Sequence, residues 1–390
     1  MKRTWIVISA ILIVYLLISC EEDTSIDDSW SLREKIDNLV EPVTYFGNPG
    51  AMIIGVIQDG EKSIYSYGDA GLGSGPPESN TIFEIGSNTK TFTATILSQF
   101  IMEGLLSLDD PIDQFLPANV HPPSFQGQPI TLRHLVTHTS GLPRGVYNFG
   151  IDPSVVWSEF TNEDYYTFLN DISHQAYPFD DFTRGNELAY LGTAYRYSNI
   201  GIAILGHILE LVSGQSYEDL VEERITSVLE MPDTRIITRM TVEQKDRIPR
   251  AYNLNQYEQL LPSDMGRMLA MGGILSTIDD MLKYMEANMD DTSPLYPSMS
   301  MCHEVIYTNE DISNPDGDND EMFYGSGIGM AWFVTYENGD TIIEHGGAYN
   351  HLCFFKFNKT KNIGMVSFSN TRTPKVSDIN RRIFELITKE

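Results

Sequence analysis

Strand-forming segments sit at the two ends of this chain, and helical periodicity fills the middle. Near the start, Ala51 to Ile57 is rich in Ile and Val. Asp59-Gly60 follows, then a second β-prone run from Ser63 to Tyr67, and the pattern reads as a hairpin. Near the end, Ile328 to Tyr336 and Thr341 to Glu344 flank Asn338-Gly339, a second hairpin. A third joins Cys353 to Phe357 with Ile363 to Ser369 around Asn358 to Lys361. One sheet can use both sets only if the two ends of the chain meet. The expectation is therefore an α+β fold: an antiparallel sheet flanked by N- and C-terminal helices, with a large mainly helical region inserted. The sheet part covers about residues 41–85 and 324–390, and the helical part about 87–310. A helix from Trp30 to about Leu39 opens the fold, and one from about Ser377 to Thr388 closes it.

Three helices in the middle have clear signals. Phe92, Ile96, Leu97, Phe100 and Ile101 recur at helical spacing after Ser87, and Gly104 stops them. Ile200, Ile204, Ile208, Leu211 and Val212 repeat the pattern after Asn199, with Gly214 as the stop. Another helix spans Ile278 to Asn288.

The first residues read as an export signal. Lys2 and Arg3 precede an almost wholly apolar run from Trp5 to Ile18, shorter than the ~20 residues needed to cross a bilayer as a helix. Leu17-Ile18-Ser19-Cys20 resembles the lipobox of bacterial lipoproteins. That resemblance implies a signal peptide over residues 1–19, lipidation of Cys20, and anchoring to a membrane of the cell envelope. Residues 20–29 carry Glu21, Glu22, Asp23, Asp27 and Asp28, an acidic tether, and the folded domain runs over 30–390. Cys302 and Cys353 remain as two cysteines that spacing does not require to pair.

The balance of 26 basic against 54 acidic residues argues against nucleic acid as a partner, because phosphate contacts need clustered Lys and Arg. Its ordinary consequence is solubility.

Ser87-Asn88-Thr89-Lys90 places a hydroxyl and an amine one helical turn apart, on one face. Serine needs a base to become a nucleophile, and a buried lysine can lose its charge and serve. Alone, the pattern is better read as a helix-capping serine with a solvated lysine one turn on, since one chance Ser-x-x-Lys is expected in a chain of this composition. Tyr197-Ser198-Asn199 precedes a strong amphipathic helix and supplies a phenol for proton transfer and an amide for a substrate carbonyl. His345-Gly346-Gly347 ends a strand, where glycines admit a substrate backbone and the N–H of Ala348 can face an oxyanion. His134 and His138 lie four apart but lack the Glu of a zinc-binding His-Glu-x-x-His, and His138 is assigned to holding the turn near Gly141. Asp316 to Asp320 lacks the glycine and glutamate positions of a calcium loop. Neither a metal nor a cofactor is called for.

Taken together, these pieces resemble the class C β-lactamase, DD-peptidase and esterase family of serine hydrolases, over almost all of residues 41–390. Phe83-Glu84-Ile85-Gly86-Ser87-Asn88-Thr89-Lys90-Thr91-Phe92 is similar to the family's nucleophile segment. Leu108-Asp109-Asp110-Pro111, Leu135-Val136-Thr137-His138-Thr139-Ser140-Gly141-Leu142 and Tyr195-Arg196-Tyr197-Ser198-Asn199-Ile200-Gly201 follow in the family's order. So do Gly272 to Thr277 and Tyr324 to Gly329. The resemblance implies a β-lactamase/DD-peptidase-like fold and an acyl-enzyme on Ser87, with Lys90 and Tyr197 sharing the acid and base work. Asn199 would help place the substrate, the N–H groups of Ser87 and Ala348 would form the oxyanion hole, and His345 would stand where the family's third-motif lysine stands. Where classical β-lactamases of the group carry Lys-Thr-Gly, this chain has His-Gly-Gly, which removes a hydroxyl and a fixed charge and weighs against efficient β-lactam hydrolysis. The implied substrate is a small peptide, ester or amide, with D-amino-acid peptides foremost. The alternatives are a β-lactamase proper and a catalytically silent protein that binds envelope peptides.

Overall fold

The structure is a computed structural model that describes residues 29–45, 50–71, 73–145, 159–172, 191–252, 262, 264–313 and 325–389. The leader, Cys20, nearly all of the tether and the Asp316–Asp320 loop lie outside these residues. Among them, eight strands form one antiparallel sheet: β1 (Ala51–Gln58), β2 (Glu61–Gly68), β3 (Tyr307–Thr308), β4 (Gly327–Ile328), β5 (Phe333–Glu337), β6 (Asp340–Ala348), β7 (Leu352–Asn358) and β8 (Ile363–Ser369). Their order is β2-β1-β8-β7-β6-β5-β4-β3, so the first hairpin docks beside the last strand. In that junction Ile54 lies opposite Ser367, and Ile53 opposite Phe368.

The hairpins form where turn chemistry expects them. Asp59 and Gly60 have φ of 52° and 78°, and Asn338 and Gly339 have 52° and 86°, left-handed pairs that match the twist of the flanking strands. At the third turn, Asn358 Oδ1 accepts from the N–H groups of Thr360 (3.1 Å) and Lys361 (3.0 Å). The run from Ile328 to Tyr336, expected as one strand, is two. β4 and β5 pair with each other, Phe333 opposite Ile328, across a turn in which the Gly329 N–H donates to Trp332 O (2.9 Å) and Ala331 takes φ of 57°. An apolar run conceals such a reversal, because Met330, Ala331 and Trp332 are buried within the turn itself.

Both faces of the sheet are covered, so its inner strands read as apolar runs rather than alternating ones. On one face lie α1 (Leu32–Tyr45) and the closing helix (Pro374–Lys389). Ile36, Leu39 and Val40 of the first, and Val376, Ile379, Ile383 and Ile387 of the second, pack on Met52, Ile54 and Val56. The other face, with Ile53, Ile57, Val366 and Phe368, meets the inserted helical region. That region holds α2 (Thr89–Met102), α3 (Leu132–Val136), α4 (Asn162–Ile172), α5 (Asn199–Ser213) and α6 (Ile278–Met289), and the closing helix is α7.

α2 is buried almost all round and runs through the middle of the helical region. Its threonines fit because each hydroxyl has a partner. Thr91 Oγ1 donates to Asn88 O (2.7 Å), Thr95 Oγ1 to Thr91 O (2.9 Å) and Thr93 Oγ1 to Ala270 O (2.8 Å), while Thr89 Oγ1 accepts from the Ile274 N–H (3.2 Å). Cys302 and Cys353 are free and buried.

Candidate active site

The site forms where α2 begins. Ser87 sits in a short 3₁₀ turn, Gly86–Asn88, that leads into the helix. This turn is held from three sides. The Asn88 amide donates to Ile85 O (3.4 Å) and, across the sheet, to Cys353 O (3.3 Å). Glu84, itself buried, accepts from the backbone N–H and side-chain amide of Asn350 (3.2 Å each) and lies 3.2 Å from His351 Nδ1. Gly86 has φ of 51°, and a Cβ there would stand 2.8 Å from Ala348 N. On the facing strand a Cβ at Gly347 would stand 1.9 Å from Ile85 O. Both positions therefore need glycine, and their closeness brings the Ala348 N–H beside the nucleophile turn.

The end of β6 is also exposed for pairing. β7 pairs with β6 as far as Ala348, opposite Leu352, whereas β5 stops opposite Glu344. Among the described residues, His345 to Ala348 thus have a strand neighbour on one side only, an edge along which an extended substrate backbone can lie.

Lys90 Nζ is 2.9 Å from Ser87 Oγ and donates to Met271 O at 2.6 Å. Ser87 is half-buried and reachable, while Lys90 has no exposed surface at all. Burial, reinforced by the charge of Arg144, holds the amine well below the ordinary lysine value of 10.5. That shift favours the neutral amine, which can donate to Met271 O and still offer a lone pair to Ser87.

Tyr197 arrives on the segment before α5. Ser198 caps that helix, its Oγ accepting from the Gly201 N–H at 2.9 Å, and Gly214 ends it in the left-handed region at φ of 72°. The Tyr197 ring centroid is 5.0 Å from Lys90 Nζ and 5.1 Å from Arg144 Cζ. Asn199 is half-buried at the first turn of α5, and its N–H donates to Arg144 O (3.0 Å). Among the described residues its amide makes no hydrogen bond to Lys90, whose carbonyl partner is Met271.

His345 is buried beside Phe333, ring centroids 5.5 Å apart, and its Nδ1 donates to Gly346 O (2.7 Å). Burial, then the nearby Lys90, pushes its pKa down to about 3, so it is neutral at any working pH. The site thus brings together Ser87, Lys90, Tyr197, Asn199, His345, Gly347 and Ala348 from three separate stretches of chain.

Residue-type reasoning had no signal for Asn88 as a pin or for Met271 O as the lysine's acceptor, since both depend on contacts across the fold. The expected role of His138 is also corrected. The Gly141 turn is held by Ser140, whose Oγ accepts from the Leu142 N–H (3.3 Å). His138 Nδ1 instead accepts from the Ser198 N–H (3.1 Å), because its left-handed backbone turns the ring toward that segment. His134 closes a capping box with Thr131 at the start of α3.

Comparison with known proteins identifies the family. The Beta-lactamase family model matches residues 36–388. The D-alanyl-D-alanine-carboxypeptidase/endopeptidase AmpH of Escherichia coli (strain K12) is 25% identical over 403 residues, covering 100% of this chain and 97% of that protein. A beta-lactamase/D-alanine carboxypeptidase from Yersinia pestis, solved with citrate, superposes with a TM-score of 0.75 at 22% identity, over 92% of this chain and 98% of that one. The octameric penicillin-binding protein homologue from Pyrococcus abyssi gives 0.74 at 26% identity, over 92% and 78%. With a family match over nearly the whole chain, and a serine and a buried lysine in contact at the head of a central helix, the chain belongs to the Beta-lactamase family of serine hydrolases.

Proposed function

We propose that this protein cleaves an amide or ester through an acyl-enzyme on Ser87, and that its substrate is a D-amino-acid peptide or small ester in the cell envelope. The observation that carries the reading is the 2.9 Å contact between Ser87 Oγ and a lysine without exposed surface. Lys90 takes the Ser87 proton as Oγ attacks the carbonyl carbon. The carbonyl electrons move to an oxyanion held by the N–H groups of Ser87 and Ala348. Collapse breaks the bond to the leaving group, which receives a proton by way of Tyr197. Water, deprotonated by the same pair, then attacks the ester on Ser87 and frees the enzyme. Asn199 holds a substrate carbonyl, and the edge from His345 to Ala348 aligns the backbone.

A neutral His345 and a Gly346 without a hydroxyl support peptides and esters over β-lactams, because neither offers a fixed charge or hydroxyl to an anionic ring substituent. The carboxypeptidase/endopeptidase name of the AmpH relative supports a peptide substrate. The leader-like residues 1–19 and Cys20 support export and a lipid anchor, with the catalytic domain over 30–390 beyond an acidic tether. Among the described residues no helix is long and apolar enough to cross a membrane.

The test is turnover of a panel of D-alanyl peptides, small esters and nitrocefin, with Ser87→Ala as control. The reading expects peptide or ester turnover that vanishes in S87A, with nitrocefin the slowest substrate. Nitrocefin turnover far above every peptide and ester would replace it with a β-lactamase. Turnover that survives S87A would remove Ser87 from the reaction.

A further inference from the structure

His138 is fully buried and yet has a left-handed backbone, with φ of 58°. That conformation is strained for a residue with a Cβ. One residue thereby bonds the N–H groups of both neighbours of Tyr197. His138 O accepts from the Arg196 N–H at 2.8 Å, and His138 Nδ1 accepts from the Ser198 N–H at 3.1 Å. The imidazole also lies against the Tyr197 ring, with centroids 4.3 Å apart and planes tilted by 32°, and it meets Tyr195 edge-on at 5.9 Å. Because Nδ1 accepts, the ring carries its proton on Nε2. Burial, with Lys90 next in effect, keeps it from taking a second proton, so the acceptor persists.

We propose that His138 is a positioning residue for Tyr197, fixing the phenol over Lys90 through the Ser198 amide and the face of its ring. It touches neither Ser87 nor the substrate in this account and acts only through the tyrosine. The inference rests on the reading of Tyr197 as the proton carrier. Two properties of position 138 then matter: tolerance of a left-handed φ and an acceptor aimed at Ser198. Glycine supplies the first alone. Asparagine supplies both, because it tolerates that φ and its Oδ1 can stand in for Nδ1.

The experiment measures kcat and KM of the full-length protein for its best ester, for His138→Gly and His138→Asn, each with Tyr197 and with Tyr197→Phe. In the Tyr197 background, H138G is expected to lose ~100-fold in kcat with KM within about threefold. H138N is expected to recover most of that loss. In the Y197F background, H138G should cost less than about twofold more, because the group it positions is gone. Losses that multiply in the double variant would overturn the proposal, and so would H138N no better than H138G. If no substrate is turned over by the unaltered protein, the functional reading fails separately. The placement is then read from the ¹⁹F resonance of 3-fluorotyrosine at position 197, which should shift in H138G and return in H138N. The same resonance in all three proteins would overturn the proposal.

Discussion

The two faces of the sheet differ in what they bury. Against α1 and α7 the contacts are mainly apolar, and two polar pairs close the margin: Tyr67 Oη donates to Asp37 (2.6 Å), and the Ser367 hydroxyl donates to Asn380 (2.7 Å). On the opposite side, where the inserted helices close over β6, the fold buries an amine and two imidazoles within reach of one another's charge. The Nε2 atoms of His138 and His345 are buried there without a hydrogen-bond partner among the described residues. One face is built for stability. The other retains costs that a purely structural interior would shed, and such concentrations of perturbed groups mark functional sites.

The sharpest way to break this contrast is to make the second face ordinary. Lys90→Met, like Ser87→Ala, is expected to lower kcat/KM by about 10⁴-fold or more. K90M should at the same time raise Tm at neutral pH, because folding no longer has to strip a proton from a buried amine. The sign follows from linkage: Lys90 has a lowered folded pKa, so the unfolded chain holds more protons and the stability of the unaltered protein rises with pH through that window. The advantage of K90M should therefore shrink toward pH 10.5, the ordinary lysine value, as melting curves across pH will show. For the same reason kcat/KM of the unaltered protein should fall on the acid side as Lys90 takes up a proton.

Tyr197→Phe comes next, with an expected loss of about 10²–10⁴-fold in kcat, the usual contribution of a positioned acid or base. Gly347→Ala follows, at about 10²-fold: a Cβ 1.9 Å from Ile85 O must push β6 away from the nucleophile turn. The smallest effect on turnover belongs to the other face. Ile383→Ala should cost about 2–5 kcal/mol in denaturant unfolding but leave kcat per folded molecule within about twofold. A large kcat loss in I383A would erase the distinction between the faces.

The same contrast divides what the sequence made legible. The sheet and its covering helices follow from local rules. Asp59-Gly60 and Asn338-Gly339 announce their turns, and Ile379, Ile383 and Ile387 announce the buried side of α7. Ser87 with Lys90 is legible because both lie within one helical turn, and Tyr197 because a strong helix follows it. The β4–β5 reversal was hidden because its turn residues are as apolar as the strands they join. Asn88, Met271 O and the Tyr197-facing side of His138 were hidden for another reason. Each acts on a partner far along the chain, and a residue type alone does not say which distant backbone it meets.

The most direct test of the central claim is intact-mass and peptide mapping of the protein after a fluorophosphonate or an activated ester. The account predicts one stoichiometric adduct on Ser87 in the unaltered protein, formed at least about 10³-fold more slowly in K90M. An adduct on another residue, or K90M labelled at Ser87 as fast as the unaltered protein, would contradict it.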